Sequence, residues 1–160
     1  MQQPRKLSFA RQSKYPNLHS DPNSYEVHSE ETRDQDYNCA AWALEIKDTC
    51  WWPHPFMLEE YYWPPGVLRD DSLQAFIEGY RVYGFEVCDT PDLEEGFIKI
   101  AIFAEGDEPL HVARQLPDGR WTSKLGLEWE DIIHNDLNGV VRDDYGTPRL
   151  FLRKPIDAEQ

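Results

Sequence analysis

A cysteine at a predicted helix start is the residue of this chain best suited to covalent chemistry. Cys39 follows an asparagine in the run DYNCAAWALEI, residues 36–46, where Asn38 is a good helix cap. The free N–H groups and peptide dipoles of a helix start favour negative charge, which lowers a thiol pKa and raises the fraction of nucleophilic thiolate. The backbone N–H of Cys39 can also help to bind an oxyanion. A thiol reagent should therefore label Cys39 faster than Cys50 or Cys88 near neutral pH.

A nucleophilic thiol needs a base within hydrogen-bond reach, and that base is most often a histidine. The chain has five histidines: His19, His28, His54, His111 and His134. Of these, His111 is the best candidate, because it opens a predicted strand that follows the strongest core strand. Strand ends of this kind present side chains at a sheet edge or a cleft, where a thiol and a substrate can reach the imidazole.

A polar side chain on the next strand is needed to fix the imidazole tautomer. The turn PDG, residues 117–119, predicts a hairpin in which His111 lies opposite Leu125 and Ser123 lies opposite Ala113. Ser123 is therefore the first choice for this orienting role. The reserves are His134 and Asn135.

Further side chains near these positions are candidates for binding substrate. Tyr37 and Gln35, just before the cysteine, are candidates for the oxyanion site, although Tyr37 also fits a hydrophobic staple at the helix start. Trp52 and Trp63 belong to an aromatic, proline-rich loop, residues 51–66, that suits a substrate cleft. The same loop also suits packing over the core.

A structural interpretation fits the same residues. Free cysteine is among the most buried residue types, so CAAWAL, residues 39–44, also matches an ordinary packed helix, and His111 also matches a satisfied structural histidine. Cys50 and His54 have the spacing of a metal-ligand pair, but no second pair accompanies them. We therefore predict neither a metal nor a cofactor.

The elements that position these residues follow an α+β order. Helices are predicted over residues 39–47 and 70–85, and a short strand over 25–29 precedes them. An antiparallel meander follows, with strands at 97–104, on both sides of the PDG turn, and at 148–155. Residues 127–135 are predicted as a short helix. We expect N-terminal helices packed on an antiparallel sheet.

Length and charge limit the domain organisation and the partners. We expect a flexible basic arm over residues 1–24, one domain over 25–155 and a tail over 156–160. The first 20 residues have four basic and no acidic side chains. Because the chain carries a net −14, the remainder carries −18. Such charge argues against nucleic acid and anionic membranes as partners.

Compartment and redox state are also predicted from the sequence. No apolar run is long enough to span a membrane, and the start of the chain lacks the apolar stretch of a signal peptide. Three cysteines without paired spacing do not form a disulfide framework. We therefore expect a cytoplasmic protein with reduced thiols.

Five segments resemble an uncharacterised bacterial domain family in the same order, from about Tyr25 to Pro155. They are YNCAAWA (37–43), KIAIF (99–103), HVARQLPDGRWTSKLG (111–126), DIIH (131–134) and YGTPRLFLRKP (145–155). More distantly, that family resembles NlpC-type papain-like amidases and peptidases. In those enzymes a cysteine at a helix start faces a histidine at the start of a sheet strand, and a third polar residue lies on the next strand.

The resemblance implies a papain-like fold and a thiol-dependent amidase or peptidase acting on a peptide or amide substrate. Cys39 then matches the nucleophile, His111 the base and Ser123 the orienting position, where relatives usually have His, Asn or Gln. Ala40 and Ala41 stand where the amidases commonly continue with Ser-Gly. These departures also fit the alternative function, a catalytically inactive module that binds a protein partner, as an inhibitor or immunity-type protein does. The sequence leaves the substrate and the oligomeric state open.

Overall fold

Most of the strands belong to one antiparallel sheet in the computed structural model, which describes residues 5–28, 36–56, 61–125 and 130–156. The order across this seven-stranded sheet is β1-β8-β7-β6-β5-β9-β4, and β2 and β3 form a separate parallel pair. The strands are β1 (Tyr25–Val27), β2 (Cys50–Trp51), β3 (Tyr61–Tyr62), β4 (Glu86–Cys88), β5 (Phe97–Glu105), β6 (Glu108–Gln115), β7 (Trp121–Lys124), β8 (Asp131–His134) and β9 (Thr147–Pro155). The helices are α1 (Phe9–Gln12), α2 (Pro16–Ser20), α3 (Cys39–Trp42) and α4 (Leu73–Arg81).

Strand β5 lies inside the sheet and has apolar side chains on both faces. Ile100 and Ile102 pack in a first core layer, whereas Ala101 and Phe103 pack in a second layer on the opposite face. A strand buried on both faces reads as a nearly continuous apolar run, and FIKIAIFA at 97–104 is such a run. The sheet is therefore covered on both sides, and the α+β class with its antiparallel sheet agrees with the prediction.

Helix α3 packs in the first layer and is held at its start by Asn38. The Asn38 side chain accepts hydrogen bonds from the backbone N–H of Ala41 (3.2 Å) and of Trp51 (3.0 Å). It also donates to the Trp51 carbonyl (2.7 Å). One side chain thus caps the helix and ties it to β2. The helix is shorter than the predicted 39–47, and Glu45 just beyond it has a left-handed φ of 62°.

The N-terminal segment, predicted as a flexible arm, packs in the second layer. Leu7, Tyr15 and Leu18 are buried there. Arg11 forms an ion pair with Glu130 (2.6 Å), which joins the basic segment to the acidic body. The apolar side chains of this segment have no helical or strand periodicity, so their burial against distant residues was not visible in the sequence.

Residues 131–134 were predicted as part of a helix, and this prediction was wrong. They form β8, which pairs with β7 and with β1. The two β-branched residues Ile132 and Ile133 favour a strand, and a segment of four residues is too short for its apolar pattern to distinguish a strand from a helix. The first part of that predicted helix, 127–129, lies outside the described residues.

The hairpin around the PDG turn has the predicted register. Arg114 pairs with Thr122 and Gln115 with Trp121, which extrapolates to Ala113 opposite Ser123. The pairing stops there, so β6 and β7 separate before they reach His111. None of the helices in the described part of the chain has the length and apolar character that crossing a lipid bilayer requires.

Candidate functional site between the two core layers

Cys39 lies at the start of α3, where this helix meets β6. Its side chain is buried, with 8% of the residue exposed, and its sulfur accepts a hydrogen bond from the backbone N–H of Val112. Val112 is the neighbour of His111 on β6. The thiol therefore lies against the backbone next to the predicted base, where β6 and β7 separate.

Burial raises the pKa of the Cys39 thiol to about 11. The N–H groups of Val112, Ala40 and Cys39 itself and the charge of Lys124 act in the opposite direction, but desolvation is the larger effect. The lowered thiol pKa expected from a helix start is thus not found. Helix α3 has only four residues, so its dipole is small beside the cost of burying a thiolate.

His111 begins a chain of hydrogen bonds that crosses three strands. Its Nε2 lies 3.0 Å from Oγ of Ser123, and this oxygen lies 2.8 Å from Nε2 of His134. Nδ1 of His134 lies 2.8 Å from the backbone carbonyl oxygen of Asp136. The predicted contact between His111 and Ser123 is present, and His134, a reserve for the same position, extends it.

The carbonyl of Asp136 fixes the direction of every proton in this chain. A carbonyl oxygen only accepts, so Nδ1 of His134 is protonated. Burial lowers the pKa of His134 to about 4, so the imidazole is neutral and its Nε2 is unprotonated. The Ser123 hydroxyl must then donate to His134, and it accepts from Nε2–H of His111. Burial and the nearby His134 lower the pKa of His111 to about 3, so His111 is neutral and its Nδ1 has a lone pair.

Aromatic rings enclose the His111 imidazole, which is 1% exposed. The Tyr145 ring stacks on it with the ring centres 4.2 Å apart and the planes at 5°. The Phe103 ring meets it edge-on, with centres 5.3 Å apart. Within the described part of the chain, Nδ1 of His111 has no hydrogen-bond partner.

Cys39 and His111 approach the same place from opposite layers of the core. His111 packs with Phe103 and Tyr145 of the second layer, whereas Val112 and the residues that follow Cys39 pack in the first layer. A negative charge on Cys39 would raise the pKa of Tyr15 and Tyr145 in the second layer and of Tyr80 in the first, so the sulfur is within electrostatic reach of both layers. No hydrogen bond joins Cys39 and His111 among the residues described.

The predicted oxyanion candidates are placed differently. Tyr37 is buried, and its hydroxyl donates to a carboxylate oxygen of Asp131 (2.5 Å) on the first-layer face. This carboxylate also contacts Nδ1 of His28 (2.9 Å). Gln35 lies outside the described residues.

The two tryptophans predicted to line a cleft pack in the first core layer. Trp63 is 2% exposed, donates from Nε1 to the carbonyl of Leu68 (3.0 Å) and packs against Phe76. Trp52 is partly buried and meets the Phe76 ring edge-on, with ring centres 5.0 Å apart.

The remaining candidates lie away from this chain of hydrogen bonds. Asn135, the second reserve, is exposed, and its backbone N–H donates to the carbonyl of Ser24. Cys50 lies in β2, and the His54 ring contacts Tyr61 edge-on. Among the described residues, no three His, Cys, Asp or Glu side chains form a cluster suited to a metal ion.

Two aromatic residues at this site were not found from the sequence. Tyr145 stacks on His111, and its hydroxyl lies 2.9 Å from that of Tyr15. Tyr145 stands in the pair YG at the start of the last motif, which is the one local signal for it. Nothing near Tyr15 in the sequence indicates a partner 130 residues away.

Comparison with known proteins gives one match. The model of a family described as a domain of unknown function (DUF7689) matches residues 26–153. Neither the curated proteins nor the solved structures include a significant match to the chain. The likeness to papain-like amidases therefore rests on the sequence motifs alone.

Proposed function

Because the chain belongs to the DUF7689 family, whose function is unknown, we propose a function from the site itself: thiol-dependent hydrolysis or transfer at an amide bond. In this proposal the domain has the papain-like (NlpC-type) arrangement, with Cys39 as nucleophile, His111 as base and Ser123 as the residue that orients His111. The substrate is a peptide or another amide. The chemistry needs a reduced thiol, which fits the cytoplasmic location proposed from the sequence.

The observation that supports this proposal is the direction of the hydrogen-bond chain. Because the Asp136 carbonyl requires a proton on Nδ1 of His134, His111 is held with a proton on Nε2 and a lone pair on Nδ1. A lone pair on one imidazole nitrogen, with the other nitrogen fixed by a hydrogen bond, is the state that a general base needs.

The proposed reaction uses a neutral thiol. Sγ of Cys39 attacks the carbonyl carbon while its proton moves to Nδ1 of His111, and the carbonyl π electrons move to oxygen. The tetrahedral intermediate then collapses, the C–N bond breaks, and His111 returns the proton to the leaving amine. Water, or an acceptor amine in a transfer reaction, attacks the thioester by the same steps and releases Cys39. With the thiol pKa raised, proton transfer has to accompany attack.

A second candidate function is favoured by the burial of the thiol. A sulfur in a residue 8% exposed, with a pKa of about 11 and no hydrogen bond to His111, also fits a domain that keeps the fold without the chemistry. Such a domain would bind a protein partner, as inhibitors and immunity-type proteins do. The net charge of −14 favours a basic surface on that partner.

The test is to trap the acyl-enzyme. The full chain is incubated with activated acyl donors (p-nitrophenyl acetate and acyl-dipeptide p-nitroanilides), quenched in acid, and analysed by intact mass and peptide mapping. We expect an acyl adduct on Cys39 that is absent in Cys39→Ala and forms at least about 100-fold more slowly in His111→Gln. Cys88→Ala and His19→Gln serve as matched controls and should behave as the wild type does.

The opposite results separate the two functions. An adduct that forms at the same rate in His111→Gln would show that His111 is not the base, and the hydrolase proposal would fail. An adduct on Cys88 alone, with Cys39 unmodified, would leave the binding module as the better description.

A further inference from the structure

Tyr145 covers one face of the imidazole of His111 over a nearly parallel stack. We propose that Tyr145 is a positioning residue for His111, and that the turn over residues 142–146 places the Tyr145 ring against the imidazole. The inference rests on the proposed function, which it deepens by naming what holds the base in place. Tyr145 itself acts through His111 and is not proposed to touch the substrate.

A second restraint on His111 is needed because one hydrogen bond does not fix a ring plane. The contact between Nε2 and Ser123 fixes one end of the imidazole, but the ring can still tilt about this contact. Phe103 meets the ring edge-on, and the Tyr145 stack, with planes at 5° and centres 4.2 Å apart, restrains the ring plane from its face. Nδ1 at the other end of the ring then points in one direction, which is what proton transfer from a thiol requires.

Tyr145 is itself held from two sides. Its hydroxyl lies 2.9 Å from the hydroxyl of Tyr15 in the N-terminal segment. The guanidinium carbon of Arg142 lies 5.5 Å from its ring centre and 4.8 Å from that of Tyr15. With these contacts the Tyr145 ring cannot move without disturbing the N-terminal segment, so it can restrain the orientation of the His111 ring.

The neighbouring glycine explains how the chain brings Tyr145 to this place. Gly146 has a φ of +70°, and a Cβ there would lie 2.3 Å from the carbonyl oxygen of Ala104 on β5. Gly146 also pairs with Arg142 in an isolated bridge. The register of β5 with β6 shifts between Phe103 and Ala104, beside the strand pair that holds His111. The turn can therefore approach β5 this closely only with glycine, and this approach sets Tyr145 against His111.

The test reads the imidazole directly, without a substrate. Long-range ¹H–¹⁵N NMR of the full chain reports the tautomer and the protonation of His111 as the pH falls. In the wild type and in Tyr145→Phe, which loses the hydroxyl contact with Tyr15 but keeps the ring and its contact with Arg142, we expect the Nε2–H tautomer to persist below pH 5. In Tyr145→Leu we expect a mixture of tautomers and protonation of His111 at least one pH unit higher. Tyr145→Met, whose longer and more flexible side chain adapts better to the space left by the ring, replaces the leucine variant if that variant does not fold.

A glycine pair provides the matched control for the turn. Gly146→Ala should shift the His111 signals in the same direction as Tyr145→Leu. Gly96→Ala places alanine at a similar positive φ of +86° with no atom within 4 Å, so it introduces backbone strain without moving Tyr145. We expect it to leave the His111 signals unchanged.

The readouts separate failure of this inference from failure of the hydrolase proposal. An unchanged tautomer and protonation in Tyr145→Leu or Tyr145→Met would overturn the positioning role, whatever Cys39 does with acyl donors. If the tautomer changes as expected and Cys39 forms an adduct, the rate of adduct formation should fall on the order of tenfold to a hundredfold in the leucine variant and less than twofold in Tyr145→Phe. Equal rates in these two variants would also overturn it.

Discussion

Nδ1 of His134 lies 2.8 Å from the carbonyl oxygen of Asp136, and this contact determines the tautomer of His111 two strands away. Asp136 follows β8 directly, and its side chain caps the 3₁₀ turn Leu137–Val140 by accepting from the N–H of Gly139. The turn therefore fixes where this carbonyl points. A local capping motif at the end of β8 thus determines which atom donates and which accepts at each hydrogen bond from His134 to His111.

The first prediction concerns Ser123, which links the two histidines. Ser123→Ala removes the partner of Nε2 in both His111 and His134, and both nitrogens stay buried. An unsatisfied buried polar group costs about 1–3 kcal/mol, so we expect the free energy of unfolding to fall by about 2–4 kcal/mol in urea titrations. Ser20→Ala, which removes an exposed hydroxyl bonded to the Asn17 carbonyl, should change it by less than about 0.5 kcal/mol. Equal changes in the free energy of unfolding for Ser123→Ala and Ser20→Ala would show that the hydrogen bonds between Ser123 and the two histidines contribute no stability.

The second prediction concerns acid stability. The pKa values of His111 and His134 are lowered from 6.5 to about 3 and about 4, so both imidazoles stay neutral in the folded protein while they become charged in the unfolded chain. Their contribution to stability is fully present above pH 6.5 and is lost as the pH falls through 6 and 5. Between pH 6 and 4 each histidine should add up to about 1.4 kcal/mol per pH unit to the slope of stability against pH.

Variants can assign this slope to the buried pair. His111→Gln, measured by urea unfolding at several pH values, should lower the slope by about 1.4 kcal/mol per pH unit. His19→Gln, at an exposed position, should leave the slope unchanged. If His111→Gln kept the full wild-type slope, His111 could not be a neutral buried base in the folded protein.

The third prediction concerns alkylation of the thiols. With a pKa of about 11, only about one Cys39 side chain in a thousand is ionised at pH 8, and the sulfur is buried. Iodoacetamide should therefore modify the partly exposed Cys88 faster than Cys39 at pH 7, the reverse of the order expected from a helix start. The rate at Cys39 should rise about tenfold per pH unit from pH 7 to 10 while the protein stays folded.

Peptide mapping over time separates the three thiols, and Cys39→Ser identifies the slow phase. Faster labelling of Cys39 than of Cys88 at pH 7, with the protein folded, would mean that the thiolate is stabilised after all. This measurement is independent of acyl transfer, because iodoacetamide reacts with the free thiolate whereas the proposed reaction passes the thiol proton to His111 during attack.

The hairpin register could be predicted from the sequence because it depends on a local signal. The PDG turn fixes which residues of β6 and β7 face each other, and the observed pair of Arg114 and Thr122 has the predicted offset. In that register His111 and Ser123 are diagonal neighbours on one face of the sheet, which brings the imidazole within reach of the hydroxyl. The strand β5 could be predicted for a similar reason, since an apolar run with β-branched residues is a local property.

Burial could not be predicted in this way because it depends on distant parts of the chain. The thiol pKa expected for Cys39 took account of the nearby N–H groups and left out desolvation by the two layers that enclose the sulfur. Tyr15 is buried in the second layer, where its hydroxyl lies 2.9 Å from that of Tyr145, 130 residues later. Neither relationship has a sequence spacing that a pattern could reveal.

The fourth prediction tests the packing of α4 against the aromatic loop that covers the first layer. Gly79→Ala should stabilise an isolated helix by about 1 kcal/mol, because alanine is the better helix former. In this protein a Cβ at position 79 would lie 2.2 Å from a ring carbon of Trp63, a rigid side chain whose Nε1 is bonded to the Leu68 carbonyl. Overpacking of this kind costs about 1–3 kcal/mol, so in the protein Gly79→Ala should destabilise rather than stabilise. The variant should therefore unfold at a lower urea concentration than the wild type. Gln74→Ala, at an exposed position of the same helix, should change stability by less than about 0.5 kcal/mol. A Gly79→Ala protein more stable than the wild type would mean that Trp63 can move away, and then the loop does not pack tightly on α4.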